Sequence, residues 1–125
     1  MKLRAAALAA ASVTVALAGT AGVALAHDEV QGTTPARGAV LQNLPPKVSM
    51  TFGEAVGRLD KVTITRNGKG SFVKSAQIDP RNASRVVATL KRPGGKARKG
   101  VWKVTWRITS ADGHKQVLSA GFRVR

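Results

Sequence analysis

The chain has 125 residues, of which 21 are Lys or Arg, 6 are Asp or Glu and none is Cys, so that its formal net charge is +15. This length fits a single domain, and the lack of cysteine excludes a disulfide, a thiolate metal ligand and a thiol nucleophile. The positive charge predicts attraction to acidic surfaces such as anionic lipid head groups, acidic cell-wall polymers or nucleic acid.

The chain begins with a segment typical of a secretory signal. Lys2 and Arg4 are followed by an uncharged stretch, residues 5–26, in which Ala, Val and Leu dominate. The stretch ends in Ala24-Leu25-Ala26, with small residues at the positions that a signal peptidase recognises. A retained membrane anchor is the alternative, because about 20 apolar residues can span a bilayer.

The polar pair Asp28-Glu29 directly after this stretch favours cleavage over a retained anchor. We therefore predict a signal peptide at residues 1–26 and one mature domain at residues 27–125, exported to the periplasm or another extracytoplasmic space. The mature chain would begin with His27 and keep a formal net charge of +13. Export argues against nucleic acid as the physiological partner.

The mature chain shows short segments in which apolar and polar residues alternate, the pattern of strands with one buried face. Residues 27–46 are predicted to be irregular or short-stranded. In the first clear strand, residues 47–52, Met50 is predicted to face inward and Ser49 outward. Further strands are predicted at residues 59–65, 71–78, 84–90, 102–108 and 117–124. Turns are predicted at Asn67-Gly68, residues 79–82 and residues 111–114, and a Gly- and Lys-rich loop at residues 91–100.

The strand at residues 102–108 has the clearest alternation, with Trp102, Val104, Trp106 and Ile108 on one side. The turn after it brings Asp112 and His114 together, two positions apart. A carboxylate and an imidazole are both good ligands for a borderline metal ion. The sequence therefore predicts a metal site at this turn.

No segment after residue 26 shows helical periodicity. About seven short strands separated by turn signals, in roughly 100 residues, predict an all-β fold, a single β-sandwich of immunoglobulin-like type. The two tryptophans are predicted to lie in its core.

Four stretches of the mature chain resemble the CopC family of copper-resistance proteins, which are exported, cupredoxin-like β-sandwiches. The stretches are His27 directly after the signal, residues 34–41 with the following Pro45-Pro46 and the Val-x-Met-x-Phe strand, Phe52-Gly53-Glu54-Ala55-Val56, and residues 102–114 with Phe122-Arg123-Val124. Together they extend over nearly the whole mature chain, and the last of them is the most distinctive.

The resemblance implies a Cu(II) site formed by His27, Asp112 and His114. A free N-terminal His supplies its α-amine and its imidazole Nδ1, and these two nitrogens close a chelate ring on one metal ion. With a third nitrogen and a carboxylate oxygen, the set suits Cu(II), while zinc competes but prefers tetrahedral geometry. Met50 is the only mature methionine and is predicted to be core, which implies a member without a Cu(I) site. Glu54 either supports the His27 amine from outside the ligand set or is an exposed loop acid.

These observations predict an exported, monomeric Cu(II)-binding protein that is not an enzyme. Its function would be copper buffering, resistance or delivery to a membrane copper importer, such as a CopD-like transporter. One alternative is a copper oxidase with a histidine brace, similar to polysaccharide monooxygenases, although the chain is short and has no tyrosine. Another is a basic adhesion domain of the cell envelope, which would need neither histidine.

The loop at residues 91–100 concentrates positive charge. It is either an ordinary solvated loop or a weak contact for an anionic membrane or cell wall. The residues that would make this contact are Lys91, Arg92, Lys96, Arg98 and Lys99.

Overall fold

The computed structural model describes residues 30–125, which form eight strands and one short turn of 3₁₀ helix. The strands are β1 (Val30–Thr34), β2 (Val40–Leu41), β3 (Lys47–Phe52), β4 (Val56–Arg66), β5 (Val73–Ile78), β6 (Arg85–Leu90), β7 (Gly100–Ser110) and β8 (Lys115–Val124). The predicted signal peptide, the domain boundary after residue 26 and His27 lie outside the described residues.

The strands form two four-stranded sheets, with the orders β1-β3-β6-β5 and β2-β8-β7-β4. Neighbouring strands run antiparallel, except for the short parallel pair of β2 and β8. The predicted all-β sandwich is confirmed, with eight strands where the sequence indicated about seven. The difference arises in the N-terminal part of the domain, where the short strands β1 and β2 pair with the longer strands β3 and β8. Strands this short show little alternation of apolar and polar residues.

The core lies between the two sheets and is dominated by the tryptophan strand. Trp102, Val104, Trp106 and Ile108 of β7 are all buried, as their alternation predicts. The ring of Phe72 meets Trp102 edge-on, with 5.0 Å between the ring centroids, a favoured aromatic geometry. Both tryptophans therefore belong to the core, as predicted.

Strand β3 departs from its predicted alternation at one position. Met50 is buried as predicted, but Ser49, predicted to face outward into solvent, is buried as well. The guanidinium of Arg85 donates a hydrogen bond of 3.3 Å to Ser49 Oγ and lies 3.5 Å from the carboxylate of Asp79. A long side chain on the neighbouring strand thus covers the serine, which a pattern within β3 alone does not show.

Two predicted loops have more structure than the sequence indicated. At Asn67-Gly68 both residues have positive φ, 51° and 78°, as a two-residue turn of type I′ requires. The two strands on either side, β4 and β5, nevertheless belong to different sheets, so the chain changes sheet after this turn. The Gly- and Lys-rich loop contains the 3₁₀ turn, Gly95–Arg98, whose last carbonyl accepts a hydrogen bond of 2.8 Å from Trp102 Nε1.

One end of the sandwich brings together three segments that are distant in sequence. The N-terminal end of β1 pairs with the C-terminal end of β3, Val30 opposite Phe52. From there the chain crosses to the other sheet and begins β4, in which Val56 lies opposite Ser110 at the end of β7. This end therefore holds the start of the described chain, the loop between β3 and β4, and the turn between β7 and β8. Within residues 30–125 no helix is long and apolar enough to cross a membrane.

Candidate metal centre

The turn between β7 and β8 is closed by backbone hydrogen bonds. Ser110 N donates to His114 O at 2.8 Å, and Gly113 N donates to Ser110 O at 2.9 Å. Gly113 has a φ of 96°, a region that L side chains rarely adopt, so glycine is required here. The predicted turn is confirmed, and it joins β7 and β8, which pair without a register shift from Gly100 opposite Val124 to Thr109 opposite Lys115.

Asp112 and His114 are in direct contact in this turn. His114 Nδ1 lies 3.1 Å from Asp112 Oδ2, while Asp112 Oδ1 accepts hydrogen bonds from Ser110 Oγ and, at 3.3 Å, from His114 N. The side chain of His114 is 79% exposed and that of Asp112 is 52% exposed. Since Nδ1 faces the carboxylate, Nε2 is the ring nitrogen of His114 that is available to a metal ion.

The electrostatics of the turn favour an ionised carboxylate. The hydrogen bond from Ser110 Oγ, reinforced by the backbone N–H of His114, holds the pKa of Asp112 below its ordinary value of 3.8. Asp112 is therefore an anion at neutral pH, suited either to bind a cation or to hold an imidazole in place.

Two residues that the sequence analysis missed position this turn. Ser110 is 3% exposed, and its hydroxyl donates to Asp112 Oδ1. Gly57 lies so close that a Cβ atom there would be 3.1 Å from Ser110 O and 3.3 Å from Ala111 Cα. The signals that could have identified them are a serine two positions before the aspartate and a glycine within a strand.

Glu54 lies in the loop between β3 and β4 and is exposed, as its position after the broken alternation predicts. Across the described part of the chain, no three or more His, Cys, Asp or Glu side chains converge in a way that could hold a metal ion. Glu54 therefore does not join Asp112 and His114 in one cluster. Its support of the His27 amine stays a prediction, because His27 lies outside the described residues.

A third position near the turn carries a polar group without a partner. Gln116 follows His114 by two positions and lies opposite Ile108 in the register of β7 and β8. Its Oε1 atom is buried and accepts no hydrogen bond in the structure. Such an unsatisfied acceptor destabilises the folded state.

The basic residues of the loop after β6 are all exposed, but two of them also stabilise the fold. Arg92 donates a hydrogen bond of 2.6 Å to the carbonyl of Leu44, and Arg98 Nε donates one of 2.8 Å to the carbonyl of Pro93. Contact of this loop with an anionic surface stays a prediction.

Comparison with known proteins agrees with this architecture. A family model described as "CopC domain" matches residues 30–125. PcoC from Escherichia coli, described as a copper resistance protein, superposes with a TM-score of 0.64 at 18% identity, covering 78% of this chain and 99% of that one. CopC from Methylosinus trichosporium OB3b gives a TM-score of 0.63 at 18% identity, covering 76% of this chain and 90% of that one.

A second structure of PcoC, described as methionine rich, gives a TM-score of 0.59 at 22% identity and covers 78% of this chain and 97% of that one. At these identities the likeness concerns the fold. No curated protein sequence matches the chain.

Proposed function

The chain belongs to the CopC family, and we propose that it is an exported protein that carries Cu(II) as cargo at a site formed by His27, Asp112 and His114. The structural likeness to PcoC, itself described as a copper resistance protein, supports a function in copper resistance. The proposal assigns no catalytic residue.

The observation that carries the proposal is the meeting of two distant segments at one end of the sandwich. Val30, the first described residue, lies opposite Phe52 at the end of β3. Ala55 follows Phe52 by three positions, and its carbonyl accepts a hydrogen bond of 2.9 Å from Ala111 N in the turn. His27 precedes Val30 by three positions, a length of chain that extends by at most about 10 Å. Two packed sheets are also about 10 Å apart, so a span of this length would allow the predicted N-terminus to approach Asp112 and His114.

The donor set fits Cu(II). The His27 α-amine and imidazole would supply two nitrogens and the exposed Nε2 of His114 a third, a set that Cu(II) binds more tightly than other divalent ions of its row. Asp112 either adds an oxygen ligand or holds the His114 ring, and the contact between Nδ1 and Oδ2 supports the second of these.

The state of the single described methionine favours Cu(II) over Cu(I). Thioether sulfur is a soft ligand that selects Cu(I). Met50 is the only methionine within residues 30–125, and it is 0% exposed in the core. It is therefore not available to a metal ion at the surface.

The exposure of the turn suits a carrier that exchanges its metal. His114 and Asp112 lie on the surface, where another protein or a chelator can approach them. Buffering of copper and delivery to a membrane importer, such as a CopD-like transporter, both require such access. In this proposal the protein acts as a monomer in an extracytoplasmic compartment.

The site depends on a covalent event, removal of the signal, and this gives the test. Chains that begin at His27 and at a single Gly before His27 should be compared by calorimetric titration with Cu(II) in the presence of a competing chelator. The extension converts the amine into an amide and breaks the chelate, so we expect Cu(II) affinity to fall by orders of magnitude. Binding to the processed chain should also weaken below about pH 6, where the amine and the imidazole hold their protons.

The extension changes nothing in the sandwich, so the two apo proteins should unfold at the same temperature. Equal copper affinity of the two chains would show that the N-terminal chelate does not exist. Oxygen uptake with a reductant and a glycan would instead indicate the oxidase alternative.

A further inference from the structure

The exposed large hydrophobic residues within residues 30–125 all lie on one face of the molecule. Val40, Val101 and Val117 are 55%, 47% and 57% exposed. Val40 and Val101 each pair with Arg123 of β8, and Val117 pairs with Arg107 of β7. The alternate residues of β7 are buried, so these paired positions point outward from the sheet β2-β8-β7-β4.

Positive charge alternates with the valines on this outer face. Lys61 of β4 lies directly opposite Arg107 of β7, a pairing of like charges that destabilises a sheet. The exposed cations of the face include Lys61, Lys103, Arg107, Lys115 and Arg123. A neutral residue at either position would make the sheet more stable, so the retained pair of cations indicates a function for the positive charge other than stability.

The face carries little negative charge to balance these cations, and its centre is flat. Asp60 at its edge accepts hydrogen bonds of 2.5 Å from Arg58 and 2.7 Å from Thr109 and also attracts the ammonium of Lys115, so one carboxylate balances only part of this positive charge. The centre of the face is low, because Thr105 and Ser119 lie there with their hydroxyls 3.0 Å apart. A broad, shallow surface with cations and isolated valines results.

We propose that the outer face of the sheet β2-β8-β7-β4 docks the protein onto an anionic lipid bilayer. Cations attract anionic head groups, and exposed apolar side chains gain free energy by entering the boundary between head groups and acyl chains. A soluble polyanion would require the cations alone. A second copy of the chain would place the same cations against each other, since an isologous contact pairs a surface with itself.

This docking goes beyond copper binding and does not depend on it. The turn with His114 directly precedes Lys115 at one end of the same face. A protein lying on the bilayer through this face would keep the turn close to the membrane surface, where a membrane-embedded copper importer would receive its cargo. The loop at residues 91–100 also carries cations, but it contains no Val, Leu, Ile or aromatic side chain.

The first test is co-sedimentation of the apo mature protein with phosphatidylcholine vesicles with and without phosphatidylglycerol. The face variant changes Lys103, Arg107 and Arg123 to Gln, and the matched control makes the same change at Lys91, Lys96 and Lys99 of the loop. We expect the face variant to bind the anionic vesicles roughly 100-fold more weakly, at about fivefold for each cation near the surface. The loop variant should lose less than about tenfold.

A third variant, with Val40, Val101 and Val117 changed to Thr, separates a bilayer from a soluble polyanion. It should bind anionic vesicles roughly tenfold more weakly but bind polyphosphate as tightly as the parent protein. Unchanged vesicle binding by this variant, or an equal loss in the loop and face variants, would overturn the proposal.

A second measurement does not depend on multiple substitutions. The chain has no cysteine, so Val117→Cys can be labelled alone with an environment-sensitive fluorophore. The matched position is Ser75→Cys, exposed on β5 of the other sheet. Anionic vesicles should shift the emission of the label at position 117 to the blue and leave the label at position 75 unchanged. Equal shifts at both positions, or none at position 117, would contradict docking through this face. Because copper is absent throughout, failure here leaves the proposed Cu(II) site untouched.

Discussion

At the scale of single residues, the turn assigns different tasks to Asp112 and His114. The carboxylate is engaged by Ser110 Oγ, by a backbone N–H and by His114 Nδ1, whereas Nε2 of the imidazole points away from these contacts. A hydrogen bond to the far side of a ligating imidazole orients the ring and raises its basicity. Loss of the imidazole and loss of the carboxylate should therefore differ in their effect on copper.

We expect His114→Ala to weaken Cu(II) binding by orders of magnitude, because it removes a nitrogen ligand. Asp112→Ala should weaken binding less, by roughly 10- to 100-fold, the usual effect of losing a group that supports a metal ligand. Competitive calorimetric titration measures both. Since the side chain of His114 is 79% exposed, the variant His114→Ala should unfold at the same temperature as the parent protein. An unchanged copper affinity in this variant would show that the site lies elsewhere.

The unsatisfied oxygen of Gln116 gives a prediction about stability. Gln116→Met keeps the length of the side chain and removes the buried acceptor, so the free energy of unfolding should rise by about 1 kcal/mol. Gln77→Met, at an exposed position of β5, is the matched control and should change it by less than about 0.5 kcal/mol. Urea unfolding of the apo proteins distinguishes the two, and a loss of stability in Gln116→Met would mean that the amide is satisfied.

At the scale of elements, the site depends on how β4 approaches the end of β7. The chain crosses from one sheet to the other between Phe52 and Val56, and Ala55 O accepts the hydrogen bond from Ala111 N. A Cβ atom at Gly57 would lie only 3.1 Å from Ser110 O and 3.3 Å from Ala111 Cα, closer than an ordinary contact. The crossing and the turn are therefore packed as one unit through their main chains, which side-chain substitutions in the turn would not disturb.

Gly57→Ala should push β4 and the turn apart by a few tenths of an ångström, because the new methyl group would lie 3.1 Å from the backbone oxygen of Ser110. We expect a loss of about 1–3 kcal/mol in the free energy of unfolding, typical of overpacking, together with weaker Cu(II) binding. Gly32→Ala in β1 is the control, since a Cβ atom there meets nothing within 4 Å. Equal stability and equal copper affinity of the two variants would show that the close approach does not position the turn.

At the scale of the whole molecule, this strongly basic chain has only six carboxylate side chains that can stabilise the fold by balancing its positive charge. The hydrogen bond from Thr109 lowers the pKa of Asp60, and that from Ser110 lowers the pKa of Asp112. When folding lowers the pKa of a carboxyl, that carboxyl stabilises the folded state at any pH above its pKa in the unfolded chain. This contribution is lost as the pH falls through the lower pKa of the folded state. Acid should therefore destabilise the protein from below about pH 4.

Thermal unfolding of the apo protein between about pH 5 and pH 2 tests this expectation. The melting temperature of the parent should fall with pH across this range. The double variant Asp60→Asn, Asp112→Asn should begin with a lower melting temperature and show a shallower fall. Parallel curves for the two proteins would mean that these carboxylates do not contribute to the acid transition.

The sequence by itself determined the fold class and the two residues of the turn. The alternation in residues 102–108 is a local property of one strand, and burial of Trp102 and Trp106 follows from it directly. The turn signal at Asp112-Gly113 is equally local, because it depends on the backbone freedom of a glycine. Together with the resemblance to the CopC family, these patterns were sufficient to predict the β-sandwich and to propose a metal site.

Only the tertiary structure decided which distant segments meet. No pattern within β1 or β4 shows that Val30 lies beside the loop before β4, or that Ala55 bonds to Ala111. The burial of Ser49 under Arg85 and the gathering of three valines on one basic face likewise depend on strand pairing across the sheet. Many strands with similar local patterns could pair, and the packing of the whole core selects among them. The alternation within a strand shows only which of its faces is buried, and not which strand lies next to it.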